Sequence, residues 1–143
     1  MTQPPPRRTG HRWYGLLVAC AMVLGPAGCA GPSARQNAAA AAATAFAAAV
    51  ASGDHVRACR LLAPQTREEL VQDEQRDCPA ALASQELPGA SGVEDVQSYG
   101  RQAMVRMPGD TLFLSLFTVG WRVVAAGCTP RPERPYDCLI KGA

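Results

Sequence analysis

The residues best suited to chemistry in this chain are its 6 cysteines, and their surroundings divide them into two groups. Cys20 and Cys29 lie in or just beyond an N-terminal apolar run, "GLLVACAMVLGPAGCAGPS", residues 15–33. Cys59, Cys78, Cys128 and Cys138 lie in mixed sequence further on. A thiol behind small residues at the end of an apolar leader is a group to which bacterial export attaches diacylglycerol through a thioether before cleavage. Four thiols in an exported chain have a different natural fate, oxidation to disulfides.

Arg7, Arg8, His11 and Arg12 give the leader a basic start, and nothing from Trp13 to Gly28 is charged. A basic start, an apolar core and small residues before a break form an export signal. An uncleaved membrane helix is the alternative, but about 16 residues is short for a span of roughly 20. Gly25 and Pro26 also interrupt the run near its end. Arg7-Arg8 invites a twin-arginine reading, but Thr9, Gly10 and His11 do not resemble the apolar residues usual there.

Two cysteines compete for the lipid. "LVAC", ending at Cys20, matches the bacterial lipobox letters better, whereas "PAGC", ending at Cys29, has Pro26 where leucine is usual. Length favours Cys29, because cleavage at Cys20 leaves only about 7 apolar residues, the bottom of the usual range. Cleavage there also leaves "AMVLGPAG" as an exposed greasy start to the mature protein. The expected lipidation residue is therefore Cys29. Residues 1–28 are then a lipoprotein signal peptide and residues 29–40 a small, polar tether opening with "AGPSARQ". The expected address is the extracytoplasmic face of the cell membrane, held by a lipid anchor. Plain secretion and a retained helix are the other outcomes.

Without residues 1–28 the chain has 115 residues, enough for one domain with a modest core, expected over 41–143. It then carries 11 basic and 12 acidic residues, so the whole-chain pI of 8.3 reflects the leader's arginines. No basic patch remains to suggest a nucleic-acid partner. The remaining cysteines, even in number, read as two disulfides. A zinc site is the rival, but no pair is spaced Cys-x-x-Cys and only His55 accompanies them. Of three pairings, local closure favours Cys59–Cys78 and Cys128–Cys138. Loops of about 19 and 10 residues would each stabilise by roughly 3 kcal/mol in the chain-entropy model.

Helices are expected first. "ARQNAAAAAATAFAAAVA" (34–51) has high helix propensity, with Phe46 and Val50 on one face, and its first residues also read as a flexible linker. Asp54 caps a second helix that Pro64 ends. Thr66 and Glu69 form a capping-box pattern for a third, and Cys78-Pro79 starts a fourth piece. From Val93 the period turns strand-like, with runs at 93–99, 102–107, 111–117 and 121–128 separated by short turns. Phe113 and Phe117 face one way and Leu112, Leu114 and Leu116 the other, so this strand is expected to be central and covered on both sides. "TPRPERPY" reads as a stiff loop, and "YDCLIKGA" as a short edge strand or tail. The order is α+β: N-terminal helices packed on a curved four-stranded antiparallel meander.

"FAAAVASGDHVRACRLLAP" and "GWRVVAAGC" resemble the first helices and the late strand of NTF2-like (cystatin-like) families. "CRLLAPQTREEL", "DTLFLSLF" and "GWRVVAAGCTPRPERPYDC" resemble a family of small actinobacterial lipoproteins over most of residues 45–140. That family's role is not established. The resemblance implies lipidation at Cys29 and cysteine pairing, and nothing catalytic. An NTF2-like enzyme would work in a cavity lined by Asp, Tyr or His, for which Asp95 and Tyr99 are candidates, four apart on one strand face.

No hydrolase elbow, phosphate loop or zinc-protease motif is present, and His55 beside Asp54 reads as a solvated first-turn residue. No catalytic residue, metal or cofactor is assigned. Tyr99, Trp121 and Tyr136 are the ligand-pocket candidates, with core packing the alternative for each. Three roles stay open: a non-catalytic binding module docking an envelope protein partner, an NTF2-like enzyme, and a purely structural envelope component. The first is preferred.

Overall fold

Alanine loses no side-chain entropy in a helix, and proline is preorganised for a helix's first position. Both facts are realised in helix α1 (Pro32–Ala51) of the computed structural model, which describes residues 2–3 and 31–142. The leader segment, Cys20 and Cys29 lie outside the described residues. The segment expected as a tether is helical from Pro32 onward, and Ala39 within it is fully buried. Ala39, Ala43, Phe46, Ala47 and Val50 fall at helical spacing and turn one narrow, mostly small face to the core. Gly53, at φ +72°, ends the run in a conformation costly for any residue with a Cβ.

Helix α2 (His55–Leu61) starts where Asp54 accepts the Arg57 N–H at 3.0 Å, as the cap pattern predicts. Helix α3 (Pro64–Glu74) departs from expectation. It begins at Pro64, so Thr66 lies inside its first turn, buried, and its hydroxyl donates to the Val124 carbonyl at 3.1 Å. The capping box is not formed, because proline at the first helical position already sets the start. Helix α4 (Cys78–Ala83) is joined to α2 by a Cys59–Cys78 disulfide with Cα atoms 6.2 Å apart.

Strands β1 (Asp95–Tyr99), β2 (Gln102–Met107), β3 (Asp110–Phe117), β4 (Gly120–Arg131) and β5 (Arg134–Lys141) form one antiparallel sheet in sequence order. The α+β class holds, but the meander has five strands, not four. The proline-rich segment expected to be a loop is instead the far end of the β4–β5 hairpin, turned tightly at Pro132-Glu133. Cys128 and Cys138 stand directly opposite each other there and form the second disulfide. Glu133 takes the left-handed conformation that so short a turn demands, at φ +53°. A bulge at Val124 and a positive-φ Gly127 bend β4. A Cβ on Gly127 would stand 2.8 Å from the Leu139 side chain, so this position needs glycine twice over.

The sheet edges are managed. Gln36 of α1 donates to the Val96 carbonyl on β1 at 3.4 Å. Where β5 ends, the α2–α3 link replaces it beside β4: Leu62 bridges Val123, and the Ala63 N–H meets the Val123 carbonyl at 2.8 Å.

The helices cover one sheet face, where Val105, Leu112, Leu114 and Val123 are fully buried with Phe46 and Leu82. The other face is not covered by any described helix. Phe113 and Phe117, expected in a strand covered on both sides, are only half-buried. β3 is central in the sheet but packed on one side, because the four described helices form a single layer. Leu114→Ala removes a fully buried side chain and is expected to cost about 2–5 kcal/mol, read from urea unfolding with the disulfides intact.

Candidate functional site

Strand alternation puts Gln97, Met104, Phe113 and Ala125 side by side in one row on the open face. The Tyr136 ring meets Phe113 edge-on with centroids 5.1 Å apart, extending the apolar strip toward β5. Further along the strands, at the polar row of Gln102, Ser115 and Arg122, lies a groove of about 260 Å³ floored by Ser115, Phe117 and Val124 and walled by Ala63–Thr66 and Gly142. Its polar side chains are already engaged. Ser115 donates to Gln102 at 2.8 Å, Gln65 to Glu69 at 3.2 Å, and Thr66 to the Val124 carbonyl. The groove offers shape and apolar surface, with no titratable group in its lining.

A second cleft, of about 250 Å³, lies where the β2–β3 turn meets the bent part of β4. Asp110, only 7 % exposed, stands in it beside Arg106, Glu94, Thr111 and Thr129. Gly127 turns its own backbone and that of Cys128 toward β3, and the Asp110 carboxylate accepts the Cys128 N–H at 3.0 Å. Burial raises the Asp110 pKa above its ordinary value; hydrogen bonds from the Cys128, Gly127 and Thr111 backbone work against that rise. The group holds a proton more readily than a surface aspartate, which is how an acid catalyst is tuned. Its bonds, however, go to backbone, which is how a bulge is held. The sequence reading missed Asp110. Its only signal was an acid directly after a Pro-Gly turn, at the start of an apolar strand.

The residues expected to form a ligand pocket do not converge. Tyr99 is 74 % exposed at the end of β1, on the open face. Trp121 is buried in the core under the helices. Tyr136 packs on Phe113. Asp95 and Tyr99 do share a face, linked through Gln97 at 3.0 and 3.4 Å, and Asp95 pairs with Arg106 at 3.4 Å, but no cavity encloses them. His55 opens α2, half-buried. Among the described residues no three His, Cys, Asp or Glu side chains gather as metal ligands, and no helix is long and apolar enough to cross a membrane.

A carboxyl whose folded pKa is raised stabilises the fold most below its unfolded pKa, and that contribution is lost as pH rises through the folded value. Asp110→Asn removes this term. The melting temperature of the variant relative to the parent is therefore expected to climb between pH 3 and pH 7, roughly the interval around an ordinary carboxyl pKa. A difference independent of pH would show that Asp110 carries no such penalty.

No family model, curated protein or solved structure matches the chain.

Proposed function

We propose that this is a lipid-anchored extracytoplasmic protein with an NTF2-like (cystatin-like) domain, acting as a non-catalytic module that docks a partner at the cell envelope. The observation that carries the docking role is the open sheet face. Met104 and Phe113 stand side by side and partly exposed on the side away from the helices, with Tyr136 against Phe113, an apolar patch of the kind that marks an interaction surface. The two disulfides support an oxidising address. The export signal and Cys29 support the membrane anchor. The dispersal of Tyr99, Trp121 and Tyr136 favours surface recognition over an enclosed ligand.

An NTF2-like enzyme is the second reading, favoured by the buried acid of Asp110 in its cleft. The first is preferred because the Asp110 carboxylate is engaged with the backbone of the bent strand.

Anchoring is tested by fractionation. Cys29→Ala is expected to move the protein from the membrane fraction to the medium, or to leave its signal uncleaved. Cys20→Ala should change neither. Normal cleavage with unchanged, detergent-requiring membrane association in Cys29→Ala would overturn the anchor. Docking is tested by capture from native membranes. Met104→Glu places a charge in the centre of the apolar strip and is expected to lose the co-purifying partner while leaving the melting temperature within a few degrees. An unchanged set of partners would place docking elsewhere.

A further inference from the structure

The sheet ends in a pole where two turns lie side by side. The β1–β2 turn carries Tyr99 and Arg101, and the β3–β4 turn carries Val119, followed on β4 by Arg122. The Leu116 N–H donates to the Arg101 carbonyl at 2.8 Å, which ties the first turn to the end of β3. Tyr99 is 74 % and Val119 69 % exposed, the two most exposed large apolar side chains among the described residues. Neither has a folding reason to face water.

The charges carried by the strands and turns of this pole have one sign. From Val96 to Gly109, and again from Thr111 to Pro132, the sequence holds no carboxylate. Arg101 and Arg122 each donate to a neighbouring carbonyl, of Leu116 and Trp121 respectively, and keep their positive charge. The ion pairs found among the described residues engage Arg106 and Arg131 instead. A phenol ring, an aliphatic tip and two guanidinium groups make the combination that suits a bilayer interface. The ring sits at headgroup depth, the aliphatic group enters below it, and arginine pairs with lipid phosphate.

The anchor keeps the domain near the membrane. Helix α1 starts three residues after Cys29, a stretch of at most about 10 Å. Its Gln36 bonds β1 at Val96, three residues before Tyr99 on the same strand. A domain tied so closely cannot stand off from the membrane. We infer that the Tyr99–Arg101–Val119–Arg122 pole is a second membrane contact, resting directly on an anionic bilayer surface. The inference builds on the lipid-anchored reading, and its test is separate from that of the anchor.

A chain of residues 29–143 carrying Cys29→Ala keeps every described helix and strand and has no acyl chain. This protein is sedimented with protein-free vesicles of phosphatidylcholine, with and without phosphatidylglycerol. Binding is expected to be tighter with phosphatidylglycerol and to weaken with salt. Arg101→Gln and Arg122→Gln should each lose about fivefold. Tyr99→Ser with Val119→Ser should weaken binding further at unchanged melting temperature, since both side chains are exposed. Equal sedimentation with the two vesicle types, or substitutions without effect, would overturn the inference. So would association with native membranes that protein-free vesicles of the same lipids do not reproduce, because the partner would then be a protein. Fractionation of the full chain after a high-salt wash reports the anchor alone, because salt releases an electrostatic contact whereas an acyl chain needs detergent.

Discussion

The fold depends on how closely α1 can approach the sheet. A stripe of alanines at 39, 43 and 47 lets the helix axis come near the strands, and Phe46 with Val50 supplies the bulk. Shape complementarity then has to come from the sheet, and it does, through Val105, Leu112, Leu114 and Val123, each fully buried. Helix–sheet packing of this kind gains from dispersion contacts more than from the helix's own hydrophobicity. A larger residue at Ala39 or Ala43 would push the helix away and open the core along its length. The remaining helices fill the other end of the same layer, with Leu62, Leu70 and Leu82 as their buried contributions.

One-sided packing has a second consequence. A helix layer on a single face leaves the other face of a five-stranded sheet to solvent, yet β3 puts Phe113 and Phe117 there with Ser115 between them. Curvature of the β4–β5 hairpin, bent at Val124 and Gly127, brings Tyr136 over Phe113 and covers part of that face. Asp110 holds this bend by taking a backbone N–H that the β3–β4 ladder leaves unpaired there. A buried acid, a positive-φ glycine and the open apolar strip are thus parts of one arrangement.

Much of the fold was legible in residue patterns. Asp54 as a helix cap, Pro64 as a boundary, the strand runs from Val93 and the local cysteine pairs all follow from short-range chemistry. The misreadings share a cause. Thr66 looked like a cap because its role, bonding Val124 of a distant strand, is tertiary. Residues 128–138 looked like a loop because prolines weigh against strands, whereas prolines at a hairpin's edge leave the ladder intact. Two-sided burial of β3 was inferred from apolar content, and content does not say how many layers a short chain can build. The site was less legible. Trp121 is an aromatic like Tyr99 and Tyr136, and only the sheet's register shows that it lies under the helices while Tyr99 points to water. Asp110 carried no motif, since what marks it is burial.

The disulfides close over sequence separations of 19 and 10 residues, one within the helices and one within the last hairpin. Neither links the helix layer to the sheet. Behind the leader cysteines, a chain that emerges from a channel N-terminus first presents Cys59 and then Cys78 before Cys128 and Cys138 appear. Pairing in order of emergence therefore yields the native connectivity. If the chain is exported, it needs an oxidant on the far side of the channel but no catalyst of disulfide reshuffling, and the Cys59–Cys78 bond can close before the sheet that follows it has formed.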